Sequence, residues 1–377
     1  MLKYVIISED IQSSIGKWAE FLITSTGKRL GDYMKNKKNL FNILFLLLVF
    51  GLTMHYVFHG EDLNALGSYL SQADIRYWLA GVVLVVIFIL SESVIIYYMM
   101  RSVGQNVILT HCFLYSFVGF FFSAITPSAT GGQPAQLYFM KKDKLSLSIS
   151  TLILMIVTIT YKAVLVVLGL VVMIFRPPLI MKYLQPVIGW CYLGVALNVF
   201  CVAFMLILVF HQTLAENILV GIVNLADKLF HFKKKEHYLE KIKNSMANYR
   251  SVADYFRTHK RVIVNVLLIS FFQRIIWFFI TYLVYISFSL HAVDPVTITT
   301  LQGMISVSVD MLPLPGGMGI SESLFMSIFK PICGEKLVLP VMIGSRGISY
   351  YTQLIISALM TVAAYLSIGG ERKKNNG

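Results

Sequence analysis

An all-α, multi-pass membrane protein is what this sequence predicts, and three observations carry the prediction. Of 377 residues, 57% are hydrophobic and only 14% charged, too little polar surface for a water-soluble chain of this length. Several apolar runs reach the ~20 residues that a helix needs to cross a bilayer. The formal net charge of +13 is concentrated in segments that flank those runs, which reads as a topology signal and as attraction to anionic headgroups. Because the basic residues do not form a separate polar domain, no nucleic-acid partner is expected.

Residues 1–38 mix polar and apolar side chains and lack the short apolar core of a cleavable signal. They are expected to form a cytoplasmic amphipathic segment, with residue 40 onward acting as an uncleaved signal anchor. Six full spans follow from hydropathy: residues 40–58, 77–100, 145–175, 187–210, 262–290 and 338–368. Lys28, Arg29, Lys35, Lys37 and Lys38 precede the first span, and Glu61, Asp62 and Asp74 follow it. The positive-inside rule therefore puts the N-terminus in the cytoplasm. The chain divides into a first membrane half (39–210), a basic cytoplasmic linker (211–261), a second membrane half (262–368) and a cytoplasmic tail (369–377). In the linker, Leu239, Ile242, Met246, Tyr249, Ala253 and Phe256 recur at three- and four-residue steps, an apolar stripe on a helix.

Two apolar segments are interrupted where a helix should still be crossing: "ITPSATGGQPAQLY" (125–138) and "LPLPGGMGISE" (312–322). Full crossings by 112–140 and 298–333 would leave the basic linker and the basic tail outside the cell. Both are therefore expected to be re-entrant hairpins that turn at the Gly/Pro break, since irregular backbone at membrane depth needs burial in protein or a wet cavity. Gly131 and Gly316 each lie 54 residues after the start of the span at 77 or 262, and "GGQPAQLYFM" loosely matches "GGMGISESLFM". That is the pattern of an inverted-topology repeat, in which paired breaks point to the substrate site.

Candidate lining residues are Thr126, Pro127, Gly131, Gly132 and Gln133 in the first hairpin, and Asp310, Pro315, Gly316, Gly317, Gly319 and Glu322 in the second. The glycines permit close backbone approach and left-handed turns. Pro134, Ser321 and Ser323 stand near helix starts whose N–H groups suit a lipid phosphate. Ionisable residues inside spans are costly and face a cavity or one another. Here these are Glu92, Lys162, Arg274 and Arg346, with Asp310 and Glu322 in the second hairpin. Three acids and three bases make a neutral buried network feasible, and structural pairing and headgroup contact both remain open.

Other chemistry finds little support. Cys112, Cys191, Cys201 and Cys333 are scattered without a CxxC, and His55 and His59 have no third ligand partner. No metal, no cofactor and no nucleotide loop is expected, because "GGMG" lacks the Lys-Ser/Thr of a P-loop. Tyr97, Tyr98, Trp190, Tyr192, Tyr350 and Tyr351 read as interfacial anchors.

"ITPSATGGQPAQLYFM", "LPLPGGMGISESLF" and "SRGISYY" (345–351) resemble the transmembrane region of the lysylphosphatidylglycerol synthase family, the flippase-like membrane domain of multiple peptide resistance factors. The resemblance runs from about residue 40 to 368, and Pro315, Gly316, Gly317, Gly319 and Glu322 are its most specific part. Arg346, as an ionisable residue inside a span, and Tyr350 complete the lining set. Where family members often carry an acid after the first glycine pair, this chain has Gln133 and Gln136. The resemblance implies a bacterial cytoplasmic-membrane protein that handles anionic or aminoacylated phospholipids. The cytoplasmic acyltransferase domain of full-length synthases has no room after residue 368, so catalysis by this chain alone is not expected. Three functions stay open: a lipid flippase or scramblase, the membrane component of a lysyltransferase with a separate acyltransferase subunit, and a small-solute or ion transporter. A homo-oligomer is left open as well.

Overall fold

The structure, a computed structural model, describes residues 70–126, 128–211, 251–314 and 316–370, with residue 68 and scattered positions between 213 and 250. The expected first span, the N-terminal segment, His55, His59, Pro127, Pro315 and the tail after 370 lie outside the described residues. All described regular structure is helical: α1 (Ile75–Ser102), α2 (Leu109–Ile125), α3 (Gly132–Lys142), α4 (Leu147–Phe175), α5 (Pro178–Leu184), α6 (Ile188–Phe210), α7 (Lys260–Ser287), α8 (Pro295–Val309), α9 (Ile320–Arg346) and α10 (Thr352–Gly370). Among the described residues, five helical stretches are long and apolar enough to cross a membrane. They agree with five of the six spans read from hydropathy. Helices serve here because every backbone polar group is satisfied within its own segment, with no water to answer it.

Local chemistry sets the ends. Asp74 caps α1 by accepting the Arg76 N–H at 2.9 Å, and Asp294 caps α8 through the Thr297 N–H at 2.9 Å, with Pro295 in the first turn. Hydrogen bonds from the Thr297 side chain first, and then from backbone N–H groups, hold the Asp294 carboxyl below its ordinary range. α4 stops at Arg176, which turns left-handed (φ 46°) ahead of two prolines.

The last apolar stretch needs a further break. A continuous helix from 320 to 368 would be ~74 Å long, more than twice a bilayer core of ~30 Å. Gly334 supplies the break with φ 76° and ψ 166°. It separates the second arm of a hairpin, 320–333, from a final span that passes through a wide π-type turn, Gly347–Tyr351, into α10.

α1 and α7 form the central pair, and they run antiparallel. The Asp74 N–H reaches Ser287 O at 2.9 Å and Trp78 Nε1 donates to Ser287 Oγ at 3.0 Å. Gln273 donates to Phe88 O at 2.9 Å near the middle, and Asn265 donates to the Tyr98 hydroxyl at 3.0 Å near the other end. Each central helix carries its own hairpin: α2 packs on α1 and α8 packs on α7. The hairpins then cross over, since α2 packs on α10 of the second half and α8 on α4 and α6 of the first. Where α6 meets α8, Gly194 lies against the Val307 and Ser308 backbone, and Asn198 donates to Val307 O at 3.1 Å.

The linker stripe is buried where it is described. Met246, Tyr249, Ala253 and Phe256 are all under 9% exposed, residues 249–258 are helical, and the Tyr249 hydroxyl donates to Leu208 O at 3.2 Å. Leu239 and Ile242 lie outside the described residues.

Candidate functional site

The first hairpin turns because Thr126 leaves the helix and folds its hydroxyl back. That hydroxyl donates to Phe122 O at 2.6 Å and accepts the Gly131 N–H at 2.9 Å. Ser128 and Ala129 take the left-handed turn (φ 50° and 55°). Of the two roles open to the glycines, Gly131 and Gly132 serve close approach rather than a left-handed turn. A Cβ on Gly131 would stand 2.6 Å from the Thr126 methyl, and one on Gly132 would strike Ser123 Oγ. α3 can therefore fold back tightly on α2. Arms of 17 and 11 residues are ~26 Å and ~17 Å long, each short of a full crossing.

In the second hairpin the left-handed residues are glycines: Gly316, Gly317 and Gly319, at φ 57°, 66° and 84°. At the start of α9, Glu322 reaches back so that its Oε2 accepts the Gly319 N–H at 2.7 Å and the Ser321 hydroxyl at 3.1 Å. A carboxylate at a helix N-terminus is favoured by the N–H groups and the helix dipole. Its other oxygen accepts Arg346 Nε at 2.7 Å, and Arg346 Nη2 donates to Gly316 O at 3.1 Å. Arg346 also stacks over the Tyr350 ring, 4.7 Å from its centre. The pair is sheltered, with 5% of the Glu322 side chain and 18% of the Arg346 side chain exposed.

The two tips meet. Ser128 Oγ, in the first tip, donates to Leu312 O in the second at 3.0 Å. Tyr350 donates its hydroxyl to Ala124 O, at the end of α2, at 2.8 Å. Reading Tyr350 as an interfacial anchor is thus corrected: it is 7% exposed and ties the last span to the first hairpin. Tyr98 and Tyr192 do sit near helix ends, bonded to Asn265 and Arg176.

A second ion pair closes the C-terminal end of α8. Lys162 of α4 binds Asp310, the residue that ends α8, and lies 3.1 Å from Met311 Sδ. The ammonium stands at the negative end of that helix, where a cation is favoured. Glu92 of α1 accepts from Gln136 of α3 at 2.8 Å, and Gln133 binds Thr158 of α4. Arg274 lies over the rings of Tyr161 (4.3 Å) and Phe88 (5.4 Å).

Lys162–Asp310 and Arg346–Glu322 are thus joined as ion pairs, Glu92 has an amide partner, and Arg274 contacts rings without an ion pair among the described residues. Gln136, Ser128 and Tyr161 were not singled out for these contacts by sequence reasoning. The signal for Tyr161 is its place beside Lys162 inside an apolar run; nothing in the sequence marks Ser128. Among the described residues, no group of three His, Cys, Asp or Glu side chains is placed to hold a metal. Hydrogen bonds hold the tips together, Ser128 to Leu312 and Tyr350 to Ala124, and the ion pairs beside them present charges for which a charged ligand can compete.

A comparison with curated proteins gives no match. The family model described as the lysylphosphatidylglycerol synthase TM region matches residues 39–357, which takes in both hairpins, the α1–α7 pair and the Arg346–Tyr350 turn. With five spans, paired hairpins and that match, the chain belongs to the lysylphosphatidylglycerol synthase transmembrane-region family, as a multi-pass membrane protein of lipid metabolism.

Proposed function

We propose that this protein is a lipid flippase or scramblase that moves the headgroup of an anionic or aminoacylated phospholipid across a bacterial cytoplasmic membrane, its termini in the cytoplasm. The observation that carries the reading is the tip-to-tip contact of two short-armed hairpins, Ser128 to Leu312, flanked by the Arg346–Glu322 and Lys162–Asp310 pairs. The antiparallel α1–α7 pair and the reciprocal packing of the hairpins support an inverted-topology repeat. In that reading the hairpins are re-entrant and enter from opposite faces, so that their tips divide the membrane at mid-depth. A headgroup on one side would exchange its own charges for those of Arg346 and Glu322, loosening the tips and opening the way to the other side. Translocation by this route needs polar groups on the path and a covered exit, and no covalent step.

The test is translocation in proteoliposomes, with labelled phosphatidylglycerol and its lysyl derivative, comparing wild type with Glu322→Gln. Movement of either lipid by the wild type, reduced in the folded variant, is expected. Rates equal to protein-free vesicles, with insertion verified, would refute the transport reading. Activity that appears only after adding an acyltransferase would favour a component of a lipid-modifying complex.

A further inference from the structure

Among the ionisable side chains buried in the long helices, Arg274 alone of the three cations has no carboxylate partner among the described residues. Lys162 and Arg346 each end on a carboxylate. Arg274 lies fourteen residues from one end of α7 and thirteen from the other, at the middle depth of a span. Its Nε is buried without an acceptor. Its guanidinium contacts the Tyr161 and Phe88 rings, and the Lys162 ammonium lies 5.3 Å from the centre of the same Tyr161 ring. Asp310 is taken by Lys162, and the carboxylate of Glu92, which Arg274 influences electrostatically, is held by Gln136.

A guanidinium at that depth is expensive unless an anion or water answers it. Ring faces offset part of the cost but accept none of its N–H groups. Five donors in a planar fork match a pair of phosphate oxygens, and stacking on aromatic rings fixes the plane of the fork while leaving its edge for a ligand. We infer that Arg274, framed by Tyr161 and Phe88, is the phosphate-binding residue of the lipid path, taking the oxyanion of a phospholipid headgroup. The role in transport rests on the reading above, but the binding does not. Phosphate chemistry is shared by a lipid headgroup and by free phosphate, so the test separates the two.

The full chain, purified in a neutral detergent, is followed by thermal unfolding and native mass spectrometry with short-chain phosphatidylglycerol, inorganic phosphate or diacylglycerol. Phosphatidylglycerol is expected to bind and to raise the melting temperature by several degrees, as any ligand selective for the folded state does; diacylglycerol is not. Arg274→Gln should weaken binding by roughly tenfold or more, while Arg274→Lys keeps part of it. Without lipid, Arg274→Gln should melt at or above the wild-type temperature, because it removes a half-buried charge that no carboxylate pairs directly. Competition by inorganic phosphate would mark the site as one for free phosphate too, and its absence would mark a headgroup site. Undiminished phosphatidylglycerol binding by Arg274→Gln would overturn the inference. So would a lipid-free Arg274→Gln that melts several degrees lower, which would make Arg274 a structural cation. Arg274-dependent binding without wild-type transport would refute the transport reading alone.

Discussion

The Arg346–Glu322 pair gives a quantity that can be measured against its geometry. Glu322 accepts three donors, from Gly319, Ser321 and Arg346, with 5% of its side chain exposed. Glu322→Gln keeps the volume and one acceptor oxygen; it removes the charge facing Arg346 and turns an NH2 group toward one set of the donors. Breaking a buried pair by removing one partner costs about 3–5 kcal/mol. The surviving acceptor and the 18% exposure of Arg346 bring the expectation to about 2–3 kcal/mol. Arg346→Gln leaves the carboxylate with its Gly319 and Ser321 donors, and about 2 kcal/mol is expected. In the double variant neither charge is left unanswered, so the losses should fall short of additivity by about 1.5–2.5 kcal/mol. The assay is unfolding in mixed micelles with increasing sodium dodecyl sulfate, followed by circular dichroism, across the four members of the cycle. Additivity to within ~0.5 kcal/mol would refute the view that these side chains act on each other.

Further outcomes follow from backbone geometry and capping. Gly316→Ala should destabilise by about 2–3 kcal/mol in the same assay, since its φ of 57° is left-handed and a Cβ there runs into the Tyr350 ring. Gly189→Ala, with no atom near its Cβ position, should change stability by no more than ~1 kcal/mol, in the stabilising direction. Asp294→Ala should cost ~1 kcal/mol at neutral pH through loss of the α8 cap. Because the folded state holds the Asp294 carboxyl below its ordinary value, its contribution is present above pH ~4 and declines as pH falls through the lowered value. The difference between wild type and variant should shrink in acid, and a difference that grew there would contradict the capping role.

The spans and the two interruptions were legible in the sequence because lipid imposes a long, uniform hydropathy signal and Gly/Pro clusters break it. Gly334 was harder to see. The charges already end the hairpin at 333 and start the last span at 338, but one glycine in "KPICGEKLV" carries no local sign of the positive φ that makes the break. The left-handed residues of the first tip, Ser128 and Ala129, were masked by neighbouring glycines that serve close packing. The ionisable residues were legible as a set but not as pairs. Lys162 finds Asp310 across 148 positions and Glu92 finds Gln136 across 44, and spacing along a helix says nothing about partners that tertiary packing supplies. Tyr350 looked like an anchor because aromatic residues near basic ones are common at interfaces, whereas its burial follows from the hairpin tip that covers it.

Those separations also set an order of events during synthesis. At ~5–20 residues per second, Gln136 emerges ~2–9 s after Glu92, and Arg346 only ~1–5 s after Glu322. Asp310 follows Lys162 by ~7–30 s. Through that interval α4 is made but its ammonium has no carboxylate, and the face of α1 that will receive α7 is still open to lipid or to the insertion machinery. The nascent first half must therefore carry Lys162 without its carboxylate, neutral or facing water, until the second hairpin arrives.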